Sequence, residues 1–334
     1  MRLEPSAPQQ LWVVTPIFNE QDNLPELEVR LRSVLDTISD LQWSILFVND
    51  GSTDQSLQIL QALHQRDKRF KVLDLSRNFG HQAALSAGLR FANADAVVVM
   101  DGDLQDPPEL IPELVQRWNA GANVVRAVRR SREESGVRRL GFDLFHKFFS
   151  WISDMPIESD SGVFCLMDHR ALEQFNRLTE TNRFIPGLRT WLGFCQESIY
   201  YDRRERAAGE PKQTLRSLFK YALDGIFSFS YKPLRLITCT GIAISVIGLS
   251  LAVWFIAKRL LGVETAQTGF TTLVTLITCF GGFQLVAFGV VGEYIARIYD
   301  EVKGRPLYLV KAGYGLSVAE QELETAPQLA CVND

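Results

Sequence analysis

The first 130 residues alternate short apolar segments with stretches of helical periodicity. The apolar segments are rich in Val, Ile, Leu and Phe and lie at 11–17, 43–49, 70–76, 95–100 and 122–128. Between them, apolar residues recur near every 3.6 positions at 22–38, 54–67, 81–92 and 108–119. This alternation predicts a mostly parallel sheet with helices on both faces. Ligands of such sheets bind at the carboxyl ends of the strands.

Two long stretches without charge follow later in the chain. Residues 236–257 form 22 consecutive uncharged positions, and residues 269–292 form 24 more. Each is longer than the roughly 20 residues needed to cross a hydrocarbon core. Two buried helices of a water-soluble core are the alternative, but helices of this length would then need a partly polar face, which neither stretch has. The short loop between them predicts a transmembrane helical hairpin.

The positive charges around this hairpin predict its orientation. Seven Lys and Arg residues lie before the first stretch or after the second, at 216, 220, 232, 235, 297, 303 and 305. The connecting loop has only Lys258 and Arg259. Positive residues collect on the cytoplasmic side, so both termini are expected in the cytoplasm of a multi-pass protein of the inner (plasma) membrane. Residues 214–235 have Lys and Arg between apolar positions at helical spacing, which favours an amphipathic helix at the membrane surface.

These features divide the chain into four parts. We expect a cytosolic domain at 1–213, the amphipathic helix at 214–235, the hairpin at 236–292 and a cytosolic tail at 293–334. The net charge of −4 argues against nucleic acid as a partner. The five cysteines lack C-x-x-C spacing, and the four histidines are dispersed, which is typical of surface or helix positions.

Two aspartates directly after the fourth apolar segment give the sharpest chemical signal. In VVVMDGDLQDPPE (97–109), Asp101 and Asp103 are two positions apart, so in an extended chain their side chains point to the same side. Carboxylates this close repel one another unless a cation lies between them. Hard oxygen ligands suit Mg²⁺ or Mn²⁺ bridging phosphate oxygens, and Gln105 and Asp106 can complete the set. A solvated loop is the alternative.

The earlier strand ends carry weaker motifs. TPIFNE (15–20) and NDGSTD (49–54) follow the first two segments, and each one taken alone is more typical of a turn with a helix cap than of a binding site. Asp50 can accept a hydrogen bond from a base N–H, and Gly51 permits a tight turn. LSRNFGHQAALSAGL (75–89) adds Arg77 and Gly80 before a helix N-terminus, which favours an anion nearby.

Taken in order, these motifs resemble the family 2 glycosyltransferases of GT-A fold. Within that family, PIFNE, VNDGSTD, MDGDLQDPPELIP and DSGVFCLMD are most similar to the polyisoprenyl-phosphate glycosyltransferases. The later GEYIARIYDEVKGRPLYLV resembles the bacterial two-span members of that group, and the likeness covers about residues 11–310. The resemblance implies inverting transfer of a sugar to undecaprenyl phosphate, with Mg²⁺ or Mn²⁺ as cofactor. Glucose from UDP-glucose is the sugar that it favours.

The resemblance also assigns roles to residues. Nucleotide binding is implied for Pro16, Phe18, Glu20, Asp50, Asp101 and Gly102, and metal binding for Asp101, Asp103 and Gln105. Asp160 falls on the position of the catalytic base. Acceptor-phosphate binding is implied for Arg129, Arg138, Arg139, Arg203, Arg206 and Lys212. Three positions depart from the family pattern, namely Asn49, Val163 and Gln213.

Several alternatives remain open from the sequence. The donor can instead be GDP-mannose, UDP-N-acetylglucosamine or a UDP-aminoarabinose-type sugar. A membrane transport or scaffold protein that only binds nucleotide belongs to a different class, although the spans have only Gln284 as a strongly polar interior residue. Small residues in the second span, Gly281, Gly282, Gly289 and Gly292, would let a homo-oligomer pack there.

Overall fold

A computed structural model describes residues 9–129, 161–181, 183–202, 232–261 and 269–316. The chain divides into two compact units. The first comprises Met1–Leu140, Ile157–Thr214 and Pro306–Asp334, and the second comprises Gly141–Pro156 and Leu215–Arg305.

One mixed sheet forms the centre of the first unit. Its strands are β1 (Gln9–Ile17), β2 (Leu41–Asn49), β3 (Phe70–Leu75), β4 (Ala96–Val99), β5 (Val124–Arg129), β6 (Ser161–Asp168), β7 (Gln196–Tyr201) and β8 (Val310–Tyr314). Their order in the described sheet is β7-β5-β6-β4-β1-β2-β3-β8. Neighbours are parallel at β3-β2-β1-β4 and at β5-β7, whereas β6 and β8 are antiparallel to their neighbours.

Helices connect these strands. They are α1 (Leu24–Leu35), α2 (Ser56–Arg66), α3 (His81–Phe91), α4 (Ile111–Asn119), α5 (His169–Arg177) and α6 (Ile185–Trp191), and a 3-10 turn (Pro108–Leu110) precedes α4. Helices α1, α2 and α4 each bury one stripe of residues three or four positions apart, as Leu24, Leu27, Leu31 and Leu35 do in α1, so a single face of each is buried. Helix α3 is buried on most of its surface, with Ala84 to Leu89 all buried.

The predicted α/β fold of GT-A type with a mostly parallel sheet is confirmed. The first five strands lie within two residues of the predicted apolar segments. The alternation did not predict β6, which enters the sheet antiparallel between β4 and β5. This insertion has a consequence for the site, because it brings the chain that follows Asp160 between two strands whose carboxyl ends carry polar residues.

A glycine allows α3 to lie directly on the sheet. A Cβ atom built on Gly88 would be 2.3 Å from Cγ1 of Val14 and 2.9 Å from Cγ2 of Val48. These contacts are shorter than any real Cβ contact, so a side chain at 88 would push the helix off β1 and β2. The N-terminus of α3 is thereby held close to the carboxyl ends of these strands.

The far edge of the sheet comes from the end of the chain. β8 pairs antiparallel with β3, with Val72 opposite Tyr314. Tyr314 accepts a hydrogen bond at its hydroxyl from Nε2 of Gln61 (2.7 Å), and Lys71 donates from Nζ to the carbonyl of Gly315 (2.9 Å). Residues 310–314, which follow the second uncharged stretch in sequence, therefore complete the sheet of the first unit.

Two long helices make up the described part of the second unit. α7 (Lys232–Leu260) contains the first uncharged stretch, α8 (Phe270–Val302) contains the second except for Gly269, and the two helices contact each other. Across the residues that the structure describes, no helix meets the combined length and hydropathy required to cross a membrane. The transmembrane hairpin is therefore not confirmed and stays a prediction. The amphipathic segment 214–235 lies outside the described residues except for its last four.

Candidate active site

The loops after β1 and β2 are joined to each other by hydrogen bonds. Asn19 has a φ of 55°, and its Oδ1 accepts from the backbone N–H of Thr53 (2.8 Å), while its own N–H donates to Oγ of Ser52 (3.1 Å). The N–H of Gln21 donates to Oδ2 of Asp54 (3.2 Å). An asparagine tolerates this left-handed backbone better than most residues. The two loops thus form one rigid wall at the carboxyl ends of the strands.

Three of the predicted nucleotide residues lie on or beside this wall. Pro16 is buried within β1 opposite Val48, so the strand continues through it. Phe18 follows the strand and is 38% exposed. Glu20 is half-buried, and its Oε2 accepts from Nδ2 of Asn23 (2.5 Å). All three are at the end of the sheet that the sequence predicts, while their binding role stays a prediction.

Asp50 connects the β2 loop to the loop before α3. Its buried carboxylate accepts from the N–H of Phe79 at Oδ1 (2.7 Å) and from the N–H of Gly80 at Oδ2 (2.9 Å). The next residue, Gly51, has a φ of +63°, and a Cβ there would be 2.4 Å from the carbonyl carbon of Arg77. Asp50 and Gly51 together fix the loop that leads into α3, and the hydrogen bond from a base to Asp50 stays a prediction.

The amide at position 49 suits its buried neighbour. Asn49 donates from Nδ2 to Oδ1 of Asp74 (2.7 Å) and accepts at Oδ1 from the N–H of Ser52 (3.3 Å). An acidic residue at 49 would instead face the carboxylate of Asp74 inside the protein, where like charges repel strongly. The departure from the family pattern at Asn49 therefore has a local physical reason.

His81 is a site residue that the sequence did not single out. It begins α3, and its Nε2 lies 2.7 Å from Oδ1 of Asp101. Burial disfavours the imidazolium, but the hydrogen bond and negative charge of Asp101, with the charges of Asp103 and Asp50, raise the pKa of His81 overall. The signal that could have found it is its position, because it follows the third strand at a helix N-terminus.

The D-x-D loop turns tightly against β1. A Cβ on Gly102 would be 2.7 Å from Cδ1 of Ile17 and 3.2 Å from the carbonyl oxygen of Pro16, so a larger residue would require both neighbours to shift. Leu104 has a φ of 61° although its side chain is buried. The N–H of Gln105 donates to Oδ1 of Asp103 (3.2 Å). The strained backbone at Leu104 separates the two predicted metal ligands Asp103 and Gln105, as is frequent at functional sites.

The side chains of this loop fit a divalent cation only if a ligand supplies further donors. Within the described ranges, no group of three or more His, Cys, Asp or Glu side chains is arranged to hold a metal ion. Nevertheless, burial and the charges of Asp101 and Asp103 raise the pKa of Asp106, against the opposing charge of Arg129. This excess of negative charge and the hard oxygen donors fit Mg²⁺ or Mn²⁺ completed by diphosphate oxygens.

A buried cluster links the D-x-D loop to β5 and β7. The hydroxyl of Tyr201 donates to Oδ1 of Asp106 (2.5 Å) and accepts from Nε of Arg129 (3.1 Å). Arg129 NH2 also donates to Oδ1 of Asp106 (3.3 Å). Asp106 is completely buried, and its Oδ2 has no hydrogen-bond partner in the described part of the chain. Arg129, predicted as an acceptor-phosphate residue, is thus brought to the D-x-D loop.

Several predicted residues lie outside the described ranges. These are Asp160, Arg138, Arg139, Arg203, Arg206, Lys212 and Gln213. The described residues beside them are informative. Val163 is buried in β6, and Arg189 of α6, which the sequence did not single out, is fully buried with NH2 3.4 Å from the carbonyl oxygen of Gly162.

Comparison with known proteins identifies the class. The model of the family "Glycosyl transferase family 2" matches residues 12–175. The chain is 42% identical over 308 residues to the uncharacterised glycosyltransferase YkcC of Bacillus subtilis, covering 92% of this chain and 95% of YkcC. It is 39% identical over 303 residues to the SfII prophage-derived bactoprenol glucosyl transferase of Shigella flexneri, covering 90% of this chain and 97% of that protein.

A solved structure has a more distant likeness. The mannosyltransferase PcManGT from Pyrobaculum calidifontis, in complex with GDP-Man and Mn²⁺, covers 89% of this chain and 88% of its own, at 15% identity and a TM-score of 0.47. This similarity is too low to support a conclusion about this chain. On the family match and the two close relatives, the chain belongs to glycosyltransferase family 2, in the group that contains the bactoprenol glucosyl transferases.

Proposed function

We propose that this glycosyltransferase transfers glucose from UDP-glucose to undecaprenyl phosphate at the cytoplasmic face of the plasma membrane. The observation that carries the proposal is the gathering of the D-x-D loop, His81 and the Asp106–Arg129–Tyr201 cluster at the carboxyl ends of the strands. The 39% identity to a bactoprenol glucosyl transferase over 90% of the chain supports the choice of sugar and lipid.

The donor is proposed to lie along the loops of β1, β2 and β4. Phe18 and Glu20 lie at the end of β1, Asp50 supports the loop before α3, and Gly102 keeps the D-x-D loop close to β1. Pro16 and Asp101 complete the proposed nucleotide set. A wall of this kind holds a nucleotide diphosphate with its phosphates toward Asp101 and Asp103, because the strand carboxyl ends meet there.

Asp101, Asp103 and Gln105 would hold a divalent cation, Mg²⁺ or Mn²⁺. Such an ion supplies positive charge that stabilises a leaving diphosphate. The protein's own contribution is to orient these oxygens. His81 fixes one oxygen of Asp101, and the N–H of Gln105 fixes one oxygen of Asp103. Because each carboxylate is planar and rigid, the same contacts also set the direction of the second oxygen of Asp101 and of Asp103.

The acceptor reaction is proposed to be a single inverting displacement. A phosphate oxygen of the lipid forms a bond to the anomeric carbon while the bond from that carbon to the diphosphate oxygen breaks, and UDP leaves. A phosphate monoester has a second pKa of about 6, so it is largely dianionic near neutral pH. Asp160 is therefore proposed to accept a residual proton or to orient the phosphate-binding arginines. Those basic residues are Arg129, Arg138, Arg139, Arg203, Arg206 and Lys212.

The second unit is proposed to anchor the enzyme as a helical hairpin in the membrane. Apolar side chains are exposed along both of its helices, including Ile242, Val246 and Leu249 on α7 and Ile277, Leu285 and Phe288 on α8. Water solvates such surfaces poorly, and lipid tails would cover them. The excess of Lys and Arg outside the hairpin supports the orientation with both termini in the cytoplasm.

The test is transfer of radiolabelled glucose from UDP-glucose to undecaprenyl phosphate by the full-length chain in detergent. We expect lipid-soluble label with Mg²⁺ or Mn²⁺ and none with EDTA. Label from GDP-mannose, UDP-N-acetylglucosamine or a UDP-aminoarabinose-type donor alone would keep the reaction and replace the sugar. Folded protein that binds nucleotide but transfers no sugar from any of these donors would overturn the proposal in favour of a nucleotide-binding membrane scaffold.

A further inference from the structure

Three side chains from three separate strand ends meet in one buried cluster. Arg129 and Tyr201 are the last residues of the parallel neighbours β5 and β7 and lie opposite each other in register. Asp106 reaches them from the loop after β4, where it directly follows Gln105, the residue whose N–H donates to Oδ1 of Asp103. The cluster therefore joins the proposed metal loop to the strand that leads directly into Arg203 and Arg206.

We propose that Asp106 and Tyr201 are positioning residues that orient the guanidinium of Arg129 toward the phosphate of the acceptor. The proposal rests on the function proposed above and assigns a role to two residues that the family resemblance left unassigned. Arg129 uses Nε for Tyr201 and NH2 for Asp106, at 3.1 and 3.3 Å. These contacts engage two of the five N–H donors of a guanidinium, so the fork can bind a phosphate while both contacts persist.

The environment restricts Arg129 to this orientation. A Cβ on Gly162 would be 3.2 Å from NH2 of Arg129, so a larger residue at 162 would displace the guanidinium. The side chain of Asp106 is completely buried whereas that of Arg129 is 27% exposed. A buried carboxylate requires a compensating positive charge nearby. The NH2 group of Arg129 supplies this charge at Oδ1 of Asp106, and the exposed part of the guanidinium faces outward.

Tyr201 allows the idea to be tested without removing a large side chain. Its ring packs edge-on against Phe164 with centroids 6.1 Å apart, and it is 5% exposed. Tyr201→Phe keeps this packing and removes only the hydroxyl that connects Asp106 with Arg129. Tyr200 provides a matched control, because it is the preceding residue of the same strand and is 57% exposed.

The experiment measures KM for undecaprenyl phosphate and for the nucleotide sugar separately in full-length Tyr201→Phe and Tyr200→Phe. We expect the acceptor KM of Tyr201→Phe to rise about tenfold, as the loss of one hydrogen bond to a charged group does, with the donor KM unchanged. Tyr200→Phe should match the wild type in both. A purely structural role would instead lower the thermal unfolding midpoint without separating the two KM values.

A double-mutant cycle with Arg129→Lys completes the test. Lysine cannot form the fork, so adding Tyr201→Phe to Arg129→Lys should cause little further rise in acceptor KM. Fully additive effects, or an unchanged acceptor KM in folded Tyr201→Phe, would overturn the positioning role alone. A wild-type chain that transfers no sugar to the lipid would overturn the proposed function, and the positioning role with it.

Discussion

Two clusters of aspartate and arginine lie at opposite ends of the same sheet. Near the start of β3, Asp67 accepts from Arg32 NH1 (2.7 Å) and Arg69 NH2 (2.8 Å). At the ends of β5 and β7, Asp106 accepts from Arg129 (3.3 Å) and Tyr201 (2.5 Å). The residue types are nearly the same, but the first carboxylate is partly exposed and the second is completely buried.

The two carboxylates respond to their surroundings in opposite directions. Hydrogen bonds from Arg69, against a smaller effect of burial, hold the pKa of Asp67 far below its ordinary value. Burial, followed by the charge of Asp101, raises the pKa of Asp106. The cluster at the amino end of the sheet is thus arranged for stability, whereas the cluster at the carboxyl end concentrates charge at a cost in stability. Such a cost is expected where binding or catalysis requires it.

The largest difference between the two ends of the sheet is expected in the rate of sugar transfer, when Asp103→Asn is compared with Asp67→Asn. Loss of one proposed metal ligand should reduce sugar transfer by at least about a hundredfold, because the cation that would stabilise the leaving diphosphate is then held less well. Asp67→Asn, which removes a carboxylate at the other end of the sheet, should retain wild-type turnover. Initial rates with saturating Mg²⁺ or Mn²⁺ compare the two variants. Equal rates for Asp103→Asn and the wild type would remove the D-x-D loop from the mechanism.

The next largest effect is expected for Gly51→Ala. The backbone at 51 has a φ of +63°, and the new Cβ would lie 2.4 Å from a backbone atom of Arg77. Left-handed strain and overpacking together should lower the free energy of unfolding by about 2–4 kcal/mol. Gly121→Ala is the matched control, since Gly121 has a φ of +116° with nothing within 4 Å of a built Cβ.

Gly121→Ala should therefore show the strain without the clash, and its loss of unfolding free energy should be the smaller of the two. Gly51→Ala should also reduce activity, because Gly51 supports the loop that leads to His81. Urea unfolding of the full chain in detergent, followed by circular dichroism, measures the difference. Equal losses in both variants would mean that the β3–α3 loop moves aside without cost.

Local patterns predicted the parts of the molecule that depend on short stretches of sequence. Strands β1 to β5 and the D-x-D loop follow from hydrophobic periodicity and turn residues, because parallel strands with buried faces leave a clear pattern. The contact of His81 with Asp101 and the cluster around Arg129 depend on which strands become neighbours. β6 and β8 join the sheet from distant parts of the chain, and no local period encodes that.

A smaller effect, confined to the KM for the nucleotide sugar, is expected for His81→Ala. The imidazole lies 2.7 Å from Oδ1 of Asp101, and without it that carboxylate is less well oriented toward the nucleotide sugar. We expect the donor KM to rise about tenfold, the size of one hydrogen bond to a charged group, and the acceptor KM to stay unchanged. His81→Gln should recover part of the loss, because an amide can donate to the same oxygen.

His169→Ala is the control for His81→Ala, since His169 lies beside the carbonyl of Ala94 (3.3 Å) at the start of α5. It should change neither KM. If His81→Ala raised the acceptor KM instead, the imidazole would belong to the acceptor side of the site. This pair of variants separates the nucleotide-sugar contacts proposed for His81 and Asp101 from the acceptor contact proposed for Arg129.

The smallest expected effect is the loss of stability in Asp67→Asn, and its size depends on pH. The pKa of Asp67 in the folded state is below its ordinary value of 3.8, so the charged carboxylate stabilises the fold above about pH 4. Asparagine keeps an oxygen that can accept from the N–H of Arg69 (3.0 Å) but loses the charge. Because the ion pairs are partly exposed, the variant should lose about 1 kcal/mol or less at neutral pH.

The difference between wild type and Asp67→Asn should shrink as the pH falls below about 4, because the unfolded wild-type chain then takes up a proton at Asp67 while the folded chain still resists protonation, and this favours unfolding. Unfolding by urea at neutral pH and near pH 3 gives both values. A difference that grew on acidification would mean that Asp67 is held in its protonated form, like a buried carboxylate. The two clusters would then be alike in their electrostatics, and the position of the carboxylate in the sheet would no longer distinguish a stabilising cluster from a functional one.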